Sequence, residues 1–161
     1  MIKKFNLFFC TLVIVGKIKF APGTIASLIA CLLFLLSINI FGILILFFCT
    51  IVIFCYSFVA INSSFDSLNT NDPQEIVVDE VVGQMLPLLA IPIYENLYLA
   101  PKEYYCAAAF VLFRLFDIWK PFPISYVDNN TKGAFGIMFD DILAGVYAFI
   151  ALTIMFFFLG A

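Results

Sequence analysis

The chain has 161 residues, 65% of them apolar and only 12% charged, with net charge −3 and mean hydropathy +1.13. A soluble domain carries about a quarter charged residues, so this chain lacks the polar surface to cover itself in water and is expected to be a membrane protein. No basic tract is present, which excludes nucleic acid as a partner, and there is no histidine, which excludes a histidine nucleophile.

The chain opens with Met1-Ile2-Lys3-Lys4 and an apolar run over 5–16, the outline of a signal peptide. No small-x-small cleavage site follows, because Lys17-Ile18-Lys19-Phe20 intervenes. Residues 5–16 are therefore expected to stay as an interfacial or shallowly inserted segment. From Ile25 to Ile61 no charge occurs over 37 residues. As one straight helix this stretch would reach about 55 Å, nearly twice a hydrocarbon core of about 30 Å. It must turn, and Ser37-Ile38-Asn39-Ile40-Phe41-Gly42 is the expected place.

The predicted fold is an all-α, multi-pass transmembrane bundle, one domain over 1–161, with four to five membrane segments at 25–38, 41–61, 78–98, 103–120 and 138–160. The first is short and suits a tilted, re-entrant or hairpin segment. Pro87 and Pro92 should kink the third, and Pro101 and Pro121-Phe122-Pro123 should end segments. The cysteines (Cys10, Cys31, Cys49, Cys55, Cys106) lie singly in apolar stretches and read as small buried hydrophobes. Lys3, Lys4, Lys17 and Lys19 place the start of the chain in the cytoplasm. All acidic residues except Glu95 and Glu103, and all basic residues except Lys102, then fall on that one side.

Three clusters stand at that face: Asp79-Glu80, Arg114 with Asp117 and Lys120, and Asp140-Asp141. Carboxylates in a first turn and cations in a last turn also complement the helix dipole, and a juxtamembrane charge also suits the headgroup region. Adjacent acid pairs within apolar runs repel each other and are costly at such depth, which favours a functional role. One helical turn past Asp79 is Gly83, and past Asp140 and Asp141 are Ala144 and Gly145. Residues four apart share a face, and small residues let helices approach closely in membranes, so the acid pairs are expected to meet between tightly packed helices.

Carboxylates converging without histidine suit a hard divalent cation, magnesium by default, with Asp79, Glu80, Asp140 and Asp141 as ligands. Arg114, Lys120 and one of Lys17 or Lys19 would grip a phosphate. This is the equipment of phosphoryl transfer. Thr24, in Ala21-Pro22-Gly23-Thr24-Ile25-Ala26-Ser27, would cap a helix whose free N–H groups, with the Thr24 and Ser27 hydroxyls, hold phosphate oxygens. No Cys-x5-Arg loop, DxDxT, G-x-S-x-G or P-loop occurs. Metal-activated water, the preferred route, and an Asp nucleophile both stay open, as do metal number and oligomeric state. An ion transporter and a non-enzymatic subunit of lipid synthesis are the rival readings.

These segments together resemble the phosphatidylglycerophosphatase A family of bacterial membrane lipid phosphatases. The matching text is Pro22-Gly23-Thr24 with Ser27-Leu28, Asp72-Pro73 leading to Ile76-Val77-Val78-Asp79-Glu80 and Gly83, Phe113-Arg114 through Asp117 to Lys120-Pro121 and Pro123, and Gly136-Ile137-Met138 before Asp140-Asp141 and Ala144-Gly145. The resemblance implies magnesium-dependent hydrolysis of phosphatidylglycerophosphate to phosphatidylglycerol and phosphate at the cytoplasmic face of the inner membrane. It also implies Asp79, Glu80, Arg114, Asp117, Lys120, Asp140 and Asp141 as the site.

Overall fold

The computed structural model describes residues 2–64, 75–98 and 100–159. Among these residues every regular element is helical. The Asp72-Pro73 motif lies outside the described residues. Helix α1 (Ile2–Cys10) and a 3₁₀ turn (Val15–Lys17) precede the long α2 (Pro22–Ser64). Then come α3 (Val78–Leu88), α4 (Ile91–Tyr98), α5 (Lys102–Trp119), the short α6 (Ile124–Asn130) and α7 (Gly133–Leu159).

Helix α2 has 43 residues and would span roughly 65 Å if straight. Both its ends nevertheless reach the start of α3. Gly23 abuts the Glu80 carboxylate, while Ala60 and Ile61 pack with Val78. The chain folds back at Gly42, whose φ of 73° and ψ of 169° break the helix. Glycine takes this left-handed φ without a Cβ penalty. The turn expected at 37–42 is thus present, and it makes α2 a helical hairpin.

The remaining elements alternate in direction. The Lys102 ammonium at the start of α5 donates to Asn39 Oδ1, 2.7 Å away beside the hairpin tip. The end of α5 lies with the start of α7, through Lys120 and Asp140. One end of the bundle therefore collects the starts of α2, α3 and α7 and the end of α5.

Among the described residues two helices, α2 and α7, are long and apolar enough to cross a membrane. The count of four to five passes goes beyond this. The predicted segment 78–98 is broken at Leu89-Ala90, between Pro87 and Pro92, leaving helices of 11 and 8 residues. The predicted segment 103–120 forms α5, but carries Lys102, Glu103, Arg114 and Asp117 within 18 residues. Helix α7 begins at Gly133, ahead of the predicted 138. Helix α1, at nine residues or about 13 Å, is too short to cross. It lies against the returning arm of α2, where Tyr56 donates to Asn6 Oδ1 at 2.6 Å.

The core is built on α3, which packs most extensively on α7 and α2. Helix α7 presents a stripe of Ala134, Met138, Asp141, Ala144, Ala148, Leu152 and Phe156, all buried, at the three- and four-residue spacing of one helix face. Toward the hairpin tip the core comprises Phe34, Leu88, Tyr94, Tyr105 and Phe156 among others. The outer faces of α2 and α7, Leu32, Leu36, Ile40, Ile154 and Phe157 among them, are exposed and apolar.

Candidate active site

The start of α3 places Asp79 and Glu80 on its first turn, and α7 brings Asp141 to meet them. One carboxylate oxygen from each of these three residues lies within 4.8 Å of the other two. Two glycines make this possible. A Cβ at Gly83 would sit 2.6 Å from the Asp141 carbonyl oxygen and 2.8 Å from Phe113 Cε2. A Cβ at Gly145 would run into the Gly83 carbonyl. The backbones of α3 and α7 touch directly below the acids, so the small residues expected one turn away are the ones that set the approach.

The start of α2 closes a second side. A Cβ at Gly23 would overlap the Glu80 Oε1 atom and lie 3.2 Å from Arg114 Nη1. A side chain at this position would have to push both the carboxylate and the guanidinium away from the first turn of α2. Arg114 forms an ion pair with Asp117, three residues on and on the same face of α5, and both side chains are largely buried. Asp117 in turn faces Asp141 and Glu80.

Lys120 ends α5 in the left-handed region, with φ 45° and ψ 58°, while its N–H donates to the Phe116 carbonyl. This conformation is unfavourable for a residue with a Cβ, by about 1–2 kcal/mol. It aims the ammonium at two carboxylates, Asp140 Oδ2 at 2.8 Å and Asp128 Oδ1 at 2.6 Å. Asp128 comes from α6 and was not among the expected residues; an eight-residue separation across an irregular turn leaves no periodic signal.

The expected residues thus divide. Asp79, Glu80 and Asp141 form one group, with Arg114 and Asp117 against it. Asp140, expected to join the metal ligands, pairs instead with Lys120. Thr24 borders a groove beside Arg114. Ser27 is buried and its hydroxyl donates to the Gly23 carbonyl at 2.8 Å, so its proton is committed within α2. Lys17 and Lys19 are exposed and pair with no carboxylate among the described residues. Gln84, one turn beyond Glu80, went unremarked in the sequence and is fully buried.

Several buried polar atoms at this end have no hydrogen-bond partner among the described residues: Asp79 Oδ1, Glu80 Oε2, Asp140 Oδ1, Arg114 Nε and both amide atoms of Gln84. Two ionised carboxylates 4.8 Å apart repel by about 3 kcal/mol at an effective dielectric near 20. The group of three acids needs positive charge from outside itself, and an all-oxygen donor set with open lone pairs fits a hard divalent cation.

A family model, phosphatidylglycerophosphatase A, matches residues 8–156. A Bacteroides thetaiotaomicron protein, whose name provisionally assigns it as a phosphatidylinositol-3-phosphatase, is 37% identical over 86% of this chain and 86% of its own length. Phosphatidylglycerophosphatase A of Haemophilus influenzae is 38% identical over 84% of this chain and 78% of its own. Its Escherichia coli namesake is 42% identical over 49% and 42%. No solved structure matches the chain. The chain belongs to the phosphatidylglycerophosphatase A family and is a lipid phosphatase.

Proposed function

We propose that this member of the family hydrolyses the terminal phosphomonoester of phosphatidylglycerophosphate, releasing phosphatidylglycerol and phosphate as a step of phosphatidylglycerol synthesis. The observation that carries the reading is the group of buried Asp79 and Asp141 with half-buried Glu80, whose Asp79 Oδ1 and Glu80 Oε2 have no partner among the described residues, beside the cations Arg114 and Lys120.

In this reading Asp79, Glu80 and Asp141 hold Mg²⁺. When bound, the ion neutralises their repulsion and supplies Lewis acidity toward a phosphate oxygen. Arg114, steadied by Asp117, turns its fork toward the phosphomonoester. Lys120 adds a second positive charge, held in place by Asp128 and Asp140. Water is the nucleophile: its oxygen bonds to phosphorus as the ester P–O bond breaks, and the lipid leaves as the alcohol. The chain's own work is chiefly to position groups and offset charge developing on phosphate oxygens.

The proposed topology is multi-pass in the bacterial inner membrane: the two arms of α2, then α3 with α4, α5 and α7. Lys3, Lys4, Lys17 and Lys19 put the polar end in the cytoplasm. A terminal phosphomonoester stands clear of the hydrocarbon, so a site at the bundle's end reaches it. A second reading, hydrolysis of a 3-phosphorylated inositol lipid, is favoured by the name of the Bacteroides relative.

The test is phosphate release by purified protein from phosphatidylglycerophosphate and from phosphatidylinositol-3-phosphate, each with Mg²⁺ or with EDTA. The expected result is Mg²⁺-dependent release from the glycerol lipid at a far higher kcat/KM. No release from either lipid by well-folded protein would sink the reading; preference for the inositol lipid would exchange the substrate.

A further inference from the structure

Gln84 of α3 is fully buried, and neither of its amide atoms has a hydrogen-bond partner among the described residues. Burying a primary amide without partners is costly. Packing does not require it, because a Met or Leu side chain would fill a similar space without that cost. A buried polar group left open in a folded protein calls for a reason, and service to a binding site is one of the few.

Helix geometry narrows the choice of partner. Glu80 lies four residues earlier, so the two side chains share a face of α3 about 6 Å apart along the axis. Asp79, five residues earlier, is turned about 140° away around the helix. The other residues on the Gln84 face, Val77, Val81, Pro87 and Leu88, carry no side-chain acceptor. Glu80 does: its Oε2 is buried and has no partner among the described residues. Its Oε1 is turned to the start of α2, where a Cβ at Gly23 would lie 2.1 Å from it. An open donor and an open acceptor thus stand one turn apart on one helix face. Rotation about the Gln84 side-chain torsions suffices to join them, and amide–carboxylate pairs at this spacing stabilise helices.

We propose that Gln84 is a positioning residue for the divalent cation: its Nε2–H donates to Glu80 Oε2 and holds that carboxylate in the orientation in which it binds metal with Asp79 and Asp141. The proposal rests on the reading in which these three acids hold the cation, and it adds the residue that sets how tightly they do so. Outer partners of this kind typically govern metal affinity by about 10- to 100-fold.

The test is metal binding, measured apart from turnover. Purified protein in detergent micelles, without lipid substrate, is titrated with Mn²⁺, a hard divalent probe whose free aqua ion is counted by electron paramagnetic resonance. Gln84→Met and Gln84→Leu both remove the donor but differ in shape. Both should melt in EDTA no lower than the parent, yet each should raise the Kd for Mn²⁺ about tenfold. The Mg²⁺ concentration for half-maximal phosphate release should rise by the same factor. Added to Glu80→Gln, Gln84→Met should raise Kd by less than a further twofold.

A Kd within twofold of the parent in both variants overturns the positioning role and leaves the phosphatase reading standing. So does a loss of affinity that follows a fall in melting temperature from one variant to the other, which marks damaged packing. A further tenfold loss on top of Glu80→Gln overturns the link through Glu80. A parent protein that releases lipid phosphate in EDTA and binds no Mn²⁺ overturns the metal reading and the role of Gln84 with it. Weakened Mn²⁺ binding in both variants, with no phosphate released from any lipid by the parent, leaves the role of Gln84 standing and overturns the function.

Discussion

The contact between α3 and α7 makes Gly83 the most revealing position to perturb. Alanine there would place its Cβ 2.6 Å from the Asp141 carbonyl oxygen and 2.8 Å from the Phe113 ring. Ordinary contact needs about 3.4 Å or more, and a backbone carbonyl cannot swing aside as a side-chain tip can. The two helices must separate by several tenths of an ångström. Helix propensity works the other way, favouring alanine by about 1 kcal/mol, while overpacking costs about 1–3 kcal/mol. The net effect on stability is a loss of about 0–2 kcal/mol, a modest fall in melting temperature. The effect on activity should be larger, because the separation widens the group of Asp79, Glu80 and Asp141. Misplacement approaching 1 Å costs about 100-fold, so a ten- to hundredfold fall in kcat/KM is expected, together with a rise in the Mg²⁺ concentration for half-maximal activity. The control is Gly42→Ala at the hairpin tip, where nothing lies within 4 Å of a Cβ but φ is +73°. It should lower stability by about 1–3 kcal/mol without moving the Mg²⁺ dependence. If Gly83→Ala leaves kcat/KM within twofold of the parent, the close approach of α3 and α7 does not set the geometry of the acids.

Asp141→Asn removes one of three mutually repelling charges, so in EDTA the variant should melt at a higher temperature than the parent. Its phosphate release should fall by about a thousandfold, and a variant that is both less stable without metal and still active would refute the assignment. Lys120→Met strips Asp140 and Asp128 of their shared cation and should cost about 1–3 kcal/mol of stability. Adding Asp140→Asn should recover part of that stability but none of the activity, measured as melting temperature and initial rate side by side. Gln84→Met replaces a fully buried amide, without a hydrogen-bond partner among the described residues, by an apolar side chain of similar length. It should raise the unfolding free energy by about 1 kcal/mol, and a clear loss of stability would mean that the amide is satisfied in the folded protein.

Where a regular period carried the information, the fold was legible. The uncharged stretch from Ile25 to Ile61 was too long for one pass, and Gly42 supplied the residue that could turn it. The four-residue steps from Asp79 to Gly83 and from Asp141 to Gly145 foretold which helices would meet and where. Asp140 was harder to place, because adjacent helix residues point about 100° apart. That rotation sends Asp141 toward α3 and Asp140 toward Lys120, a division that adjacency in sequence conceals. The partnership of Lys120 with Asp128 was also hidden, since it depends on a left-handed residue just before Pro121. Asp72-Pro73, legible as a motif, lies outside the described residues.

The distribution of small residues and charges around this end follows one physical demand. In the proposed reading three acids are held close enough to share a cation, yet two like charges at that distance repel by about 3 kcal/mol per pair. Side-chain packing alone would relax by letting the helices drift apart. Glycine on both α3 and α7 turns the contact into backbone against backbone, which has little room to relax, while at Gly23 the start of α2 meets only the side-chain ends of Glu80 and Arg114. The cations form their ion pairs with other carboxylates among the described residues: Asp117 for Arg114, and Asp128 with Asp140 for Lys120. If Arg114 or Lys120 instead paired directly with Asp79 or Asp141, the acids would be neutralised from within and a divalent ion would have less to gain. Pairing each cation with a separate acid preserves both halves of the proposed site, a place for metal and a place for phosphate.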